Sequence, residues 1–132
     1  MTAPINRVLL MLLFGSLLAA AGSGSLMAHH GGGVEYHMDQ TLGPVAGVVT
    51  RFNFSFPHPQ VYFDHTDENG EVTPWVAVMR LSPVGLRQRG WTRNSMMPGD
   101  TISVVYSPHR TAPNVGFARR IEVNGEFLDE GM

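Results

Sequence analysis

From Leu42 onward, short runs of apolar residues alternate with clusters of Gly, Pro, Asn and Asp, which is the rhythm of strands and turns. The first run, Leu42 to Phe54, carries Val45, Val48, Val49, Phe52 and Phe54. Gly43, Pro44 and Gly47 within it predict a bent or bulged strand, long enough to turn a barrel corner. Between Gln60 and His65, strict alternation puts Val61 and Phe63 on one face and Tyr62 and Asp64 on the other. Asp67-Glu68-Asn69-Gly70-Glu71 follows, and Asn69-Gly70 predicts a type I′ hairpin turn because both residues tolerate positive φ. A third strand runs from about Val72 to Leu81 through Trp75, Val76, Val78 and Met79.

Ser82-Pro83 then has the form of a helix cap with proline at the first helical position, and Gly90 is a good stop residue, so Val84 to Arg89 predicts a short helix. Trp91 is expected to cover one end of the core. Met97-Pro98-Gly99-Asp100 turns into a fourth strand, Thr101 to Tyr106, in which Ile102, Val104 and Tyr106 alternate against Ser103 and Val105. A loop from Ser107 to Val115 leads to a fifth strand, about Gly116 to Val123, before the turn Asn124-Gly125. Three strands, a short helix and two more strands is the order of the OB-fold, a five-stranded Greek-key barrel. The expectation is an all-β, OB-like barrel over residues 42–132, with another small barrel or sandwich as the competitor.

Upstream the pattern changes. A polar start with Arg7, an apolar run from Val8 to Ala21 and a small-residue tail from Gly22 to Ala28 have the plan of a secretory signal peptide. The run falls short of the ~20 apolar residues of a spanning helix and is interrupted by Gly15 and Ser16, so no membrane anchor is expected after cleavage. Residues 1–28 are read as the signal peptide and 29–41 as a flexible His/Gly-rich arm containing Gly31-Gly32-Gly33. Cleavage after Ala28 is favoured and makes His29 the first residue; Ala19-Ala20-Ala21 offers an alternative that leaves Gly22 first. The expected location is periplasmic or secreted.

Composition narrows the function classes. Removing residues 1–28 from the 132-residue chain leaves 104, enough for one domain. The chain has nine basic and eleven acidic residues, and the leader holds just one charge, Arg7, so the mature part is net acidic and nucleic acid is not an expected partner. No cysteine is present, which excludes lipid attachment through cysteine, a disulfide framework and a thiolate metal site.

The start His29-His30, the loop Phe56-Pro57-His58 after a Gly-Val-Val strand, Trp75, Leu86 to Arg89 followed by Gly90-Trp91, and Pro98-Gly99-Asp100 together resemble a bacterial family of small exported proteins known as a domain of unknown function. The resemblance spans essentially the whole mature chain. It implies an exported single-domain OB-like barrel and brings no established activity. The chain departs from that pattern where Gly31 follows the histidine pair in place of serine, and around His109.

A free N-terminal histidine presents its α-amine and its imidazole to one metal ion. His58 falls in the loop between the first two strands and His109 in the loop between the last two, each beside proline, and these loops carry ligands in OB-folds. An arm folded back over that end would add His29 to His58 and His109. Such a nitrogen-rich set suits Cu(II), with Zn as competitor, and Glu35 or Asp39 would orient an imidazole. The bland alternatives are solvated histidines in the arm and a loop-buttressing His58. No GxSxG elbow, P-loop, dinucleotide fingerprint or cysteine nucleophile points to an enzyme, and Asp64, Asp67, Glu68 and Glu71 are ordinary solvating charges around a hairpin turn. The sequence therefore points to a small exported binding module, with copper as the candidate cofactor. The alternative is metal-free recognition of a small molecule, glycan or envelope protein on a barrel face carrying Tyr62 and Trp75, where Tyr36, Tyr106, Arg51, Arg80 and Arg119 would add a groove or simply form core and rim.

Overall fold

Alternation decides which side chains turn inward, and register decides how the strands close. In the computed structural model, which describes residues 33–128, the order is β1 (Leu42–Asn53), β2 (Gln60–Thr66), β3 (Val72–Val78), α1 (Pro83–Arg87), β4 (Thr101–Pro108), β5 (Val115–Val123) and β6 (Glu126–Leu128). β1 is antiparallel to β4 from Leu42 to Val48 and antiparallel to β2 from Val48 to Asn53. β2 pairs with the full length of β3, whose last residues, Val76–Val78, run parallel to Val115–Phe117 of β5. β5 returns to β4, so the barrel closes as β1-β2-β3-β5-β4-β1. That is the OB order, with the helix between β3 and β4 as the sequence predicts.

The expected bend in β1 is present. Its ladder shifts between Leu42 and Val45 on the β4 side and between Val49 and Arg51 on the β2 side. Gly47 sits between these irregularities, and a Cβ there would collide with the carbonyl of Asp64 and with the Phe63 ring 2.7 Å away.

One turn differs from expectation. At Asn69-Gly70 only Gly70 has positive φ, at 83°. The Asp67 carboxylate accepts from the N–H groups of Asn69 and Glu71, each at 2.8 Å, and Gly70 N donates to Asp67 O at 3.0 Å. The outcome is a type I turn followed by a left-handed glycine instead of the expected type I′ turn. Those N–H bonds also hold the Asp67 carboxyl below the usual carboxylate range. The two-residue turn with both φ positive occurs at Asn124 (51°) and Gly125 (81°), and it adds the hairpin strand β6 to β5.

Val49, Val61, Phe63, Val104 and Ile121 face inward and are essentially fully buried with Met79, Leu86 and Met96. Ser82 caps α1 by accepting from Gly85 N, Pro83 opens the helix, and Leu86 plugs the barrel end. Trp91 is buried at that end as expected, 6.4 Å from the Phe52 ring.

The contrast between two glycines tests this packing. Gly85→Ala places its Cβ 3.4 Å from the Leu81 Cβ inside a helix and is expected to raise stability by about 0.5–1 kcal/mol. Gly47→Ala, which has no room, is expected to lower it by at least about 1–3 kcal/mol. Urea denaturation of both variants checks the signs.

Candidate functional site

The segment read as a flexible arm is fastened to the barrel from Gly33 onward. Tyr36 and His109 form an antiparallel bridge just beyond the end of β4. His37 N donates to Pro108 O and Arg110 N to Glu35 O, both at 2.9 Å. Two side chains clamp the next residues: Ser107 Oγ donates to Gln40 O at 2.7 Å, and Arg119 Nη2 donates to Met38 O at 2.6 Å. Arg119 Nε also donates to Ser107 Oγ at 2.8 Å, so the buried hydroxyl both gives and accepts a hydrogen bond. Arg110 adds contacts to Gly33 O and to His37 Nδ1, both at 3.2 Å.

The arm covers apolar surface on the outside of the barrel. Ser107 pairs with Phe117 and Val78 with Phe117, which sets all three on the outer face of the β3–β5–β4 seam. Tyr36 is buried there with Val78 and Phe117, and Met38, Val76 and Val115 pack around them. Burial, and secondarily the charge of Glu35, pushes the Tyr36 phenol above its ordinary range.

A row of rings crosses this end. His109 meets Tyr36 edge-on at 5.0 Å, Tyr36 meets Phe117 at 5.3 Å, and Phe117 meets His58 at 6.4 Å. Two of the histidines singled out from the sequence, His58 and His109, thus flank one aromatic pair. Their ring nitrogens are used differently. His109 Nδ1 accepts from the N–H groups of Thr111 at 3.1 Å and Ala112 at 2.9 Å, which places the proton of a neutral ring on Nε2 and spends Nδ1 on shaping the loop. His58 Nδ1 is buried with no hydrogen-bond partner among the described residues. No three His, Asp or Glu side chains among the described residues converge as a metal cluster. His29, with the leader and its cleavage points, lies outside the described residues.

The ladder separates Tyr62 from Trp75. Tyr62 pairs with Val76 on the outer face, whereas Trp75 pairs with Phe63 and packs inward against it and against Tyr106, at 6.2 and 5.2 Å. Tyr62 instead carries Arg51, whose guanidinium lies 4.0 Å above its ring, and donates to Gln60 Oε1 at 2.7 Å. Arg119, expected at a groove rim, belongs to the arm clamp. The sequence pattern does not reveal the clamp because Ser107 reads as the first residue of a loop, whereas β4 runs on to Pro108, and Arg119 reads as an ordinary outward polar residue of β5. Tyr36, a lone aromatic three residues after a run of glycines, was the available signal.

Ser107→Ala leaves the Gln40 carbonyl and the Arg119 Nε without their partner and is expected to cost about 1–3 kcal/mol. Ionisation of Tyr36 is favoured in the unfolded chain, since its folded pKa is raised; its stabilising burial is present below about pH 10 and lost as pH rises above that value. The urea midpoint is expected to fall between about pH 9 and 11, and Tyr36→Phe to flatten that fall, leaving the share due to Tyr106, whose phenol burial also pushes up.

No curated protein and no solved structure matches this chain. Residues 17–118, most of its length, match the family of unknown function DUF6152, and the chain belongs to that family.

Proposed function

We propose that this protein is a small exported binding module, acting in the periplasm or outside the cell, which takes up Cu(II) through a processed N-terminal histidine. The reading rests on one observation: His29-His30 directly follows the small-residue cleavage motif ending in Ala28. Cleavage there creates an α-amine beside an imidazole, two nitrogen donors suited to Cu(II). Four positions further along the chain, Gly33 accepts from Arg110, so the described segment begins at a contact with the barrel. His58 supports the same reading as the barrel imidazole with an unspent buried Nδ1. His109 is the weaker third donor, because its Nδ1 already serves the loop backbone.

The second reading is metal-free recognition of a small molecule, glycan or envelope protein on the outer face of β2. The stacked Arg51–Tyr62 pair favours it, offering a cation and a ring on the exposed sheet surface.

Mass spectrometry of the exported protein reads the first residue, and Cu(II) titration follows on that material and on a version with one residue added before His29. The copper reading expects His29 first, tight binding that is lost on extension, and weakening as pH falls below about 8, steepening below about 6.5, because the α-amine and then the imidazole take up protons. His58→Ala is expected to weaken binding further than His109→Ala. A chain beginning at Gly22, or equal weak binding by both versions, rejects copper and leaves the barrel face.

A further inference from the structure

The arm-bearing seam is not the only place where the barrel presents unused chemistry. At the end of β1, Phe52 and Phe54 line an open groove of about 410 Å³ together with Met96 and Met97 of the loop before β4. That volume lies within the range of small-ligand sites, about 300–1,000 Å³. Met96 is fully buried, whereas Met97 is 49% exposed and forms an apolar wall. Phe52 and Phe54 are half-buried, their rings 5.6 Å apart.

Arg51 and Arg93 stand at this lining and both are exposed, but the Arg51 guanidinium is stacked over Tyr62 on the outer face of β2, so Arg93 is the lining cation not already held on a ring. Neither forms a salt bridge; the ion pair among the described residues is Arg120–Glu122. A third guanidinium, that of Arg87, lies 5.3 Å above the Phe54 ring. No Asp or Glu lines the groove. Asp100, in the same loop, is occupied elsewhere: its carboxylate accepts from Met97 N at 2.7 Å and Asn124 Nδ2 at 3.1 Å. In a chain of net charge −2, this is a local cluster of cations without counter-charges beside a half-buried apolar strip.

We infer that the groove binds a small amphipathic monocarboxylate, its apolar body against Phe52, Phe54 and Met96 and its carboxylate on Arg93, with Arg87 beside Phe54 adding to the positive field. Each part of the ligand answers a part of the site. Guanidinium groups offer forked N–H donors that match a carboxylate, and the aromatic and thioether lining matches a chain or ring. An uncharged apolar ligand would leave the arginines unanswered, and a simple inorganic anion would leave the apolar strip in water. The inference is independent both of copper and of the Arg51–Tyr62 face on which the metal-free reading rests.

Decanoate is the probe, titrated below its micelle concentration into the EDTA-treated protein and followed by calorimetry and by tryptophan fluorescence, since Trp91 neighbours Phe52. We expect saturation at one equivalent, with decanol at least about tenfold weaker. Arg93→Gln should weaken decanoate by about three- to tenfold, and Arg51→Gln, whose guanidinium is stacked on Tyr62, should leave it within about twofold. Met97→Glu should abolish binding, and Arg120→Gln, whose charge lies on β5, should leave it within about twofold. Equal affinity for decanol and decanoate, absence of saturation, or an unaffected Arg93→Gln overturns the inference. Binding that survives Arg93→Gln but is lost in Tyr62→Ala overturns the groove while leaving the barrel-face reading standing.

Discussion

β1 is hydrogen bonded to β4 along its first half and to β2 along its second, and it passes from one partner to the other at Gly47 and Val48. The Asp64 carbonyl and the Phe63 ring press against Gly47 there, so the closest approach of the barrel wall admits no side chain. Everything else follows from that crossing. It brings β2 and β4 to opposite edges of one strand and lets β3 and β5 meet in parallel on the far side. The inward faces of all five strands then enclose one core of Val49, Val61, Phe63, Val104 and Ile121. β1 also delivers Phe52 to the groove and leads through Phe54, at its edge, into the loop bearing His58.

Closure on the far side creates a second demand. The parallel contact between β3 and β5 leaves Val76, Val78, Val115 and Phe117 on the outer surface, apolar area that water would otherwise meet. Tyr36 and Met38 answer it from the arm, while Ser107 and Arg119 hold the covering segment by its carbonyl groups. The interaction is economical in polar terms. One hydroxyl accepts from Arg119 and donates to Gln40, so the burial of Ser107 leaves no orphaned donor or acceptor. The one buried side-chain atom without a partner among the described residues, His58 Nδ1, lies at the same seam and is the group whose role packing alone does not explain.

Much of this was legible along the chain because the period-two pattern and the punctuation by glycine and proline agree at the five barrel strands, though not at the short β6. Val61 and Phe63 turn inward and Tyr62 outward as alternation requires, and Ser82-Pro83 opens the helix it predicts. What escaped depends on side-chain contacts, some local and some between distant segments, that alternation does not encode. The Asn69-Gly70 turn took another form because the Asp67 carboxylate captured two backbone N–H groups. Trp75 was grouped with Tyr62 by residue type, but the ladder sets it opposite Phe63, facing in. The arm clamp joins Met38 to Arg119 and Gln40 to Ser107, pairs 81 and 67 residues apart that no local pattern connects. His58 and His109 did prove to share one end of the barrel, as the loop assignment implied, yet only coordinates distinguish the spent nitrogen of His109 from the unspent one of His58.

The account stands on residues 33–41 being a fixed part of the barrel surface, since this segment covers the β3–β5 seam. Amide hydrogen exchange at His37 and Arg110 tests this most directly, because these two N–H groups donate across the arm–barrel junction to Pro108 and Glu35. The account predicts that both are protected, exchanging at least about a hundredfold more slowly than in an open chain, as for amides held in cooperative structure. Exchange of both amides at open-chain rates, with β5 still protected, would contradict it.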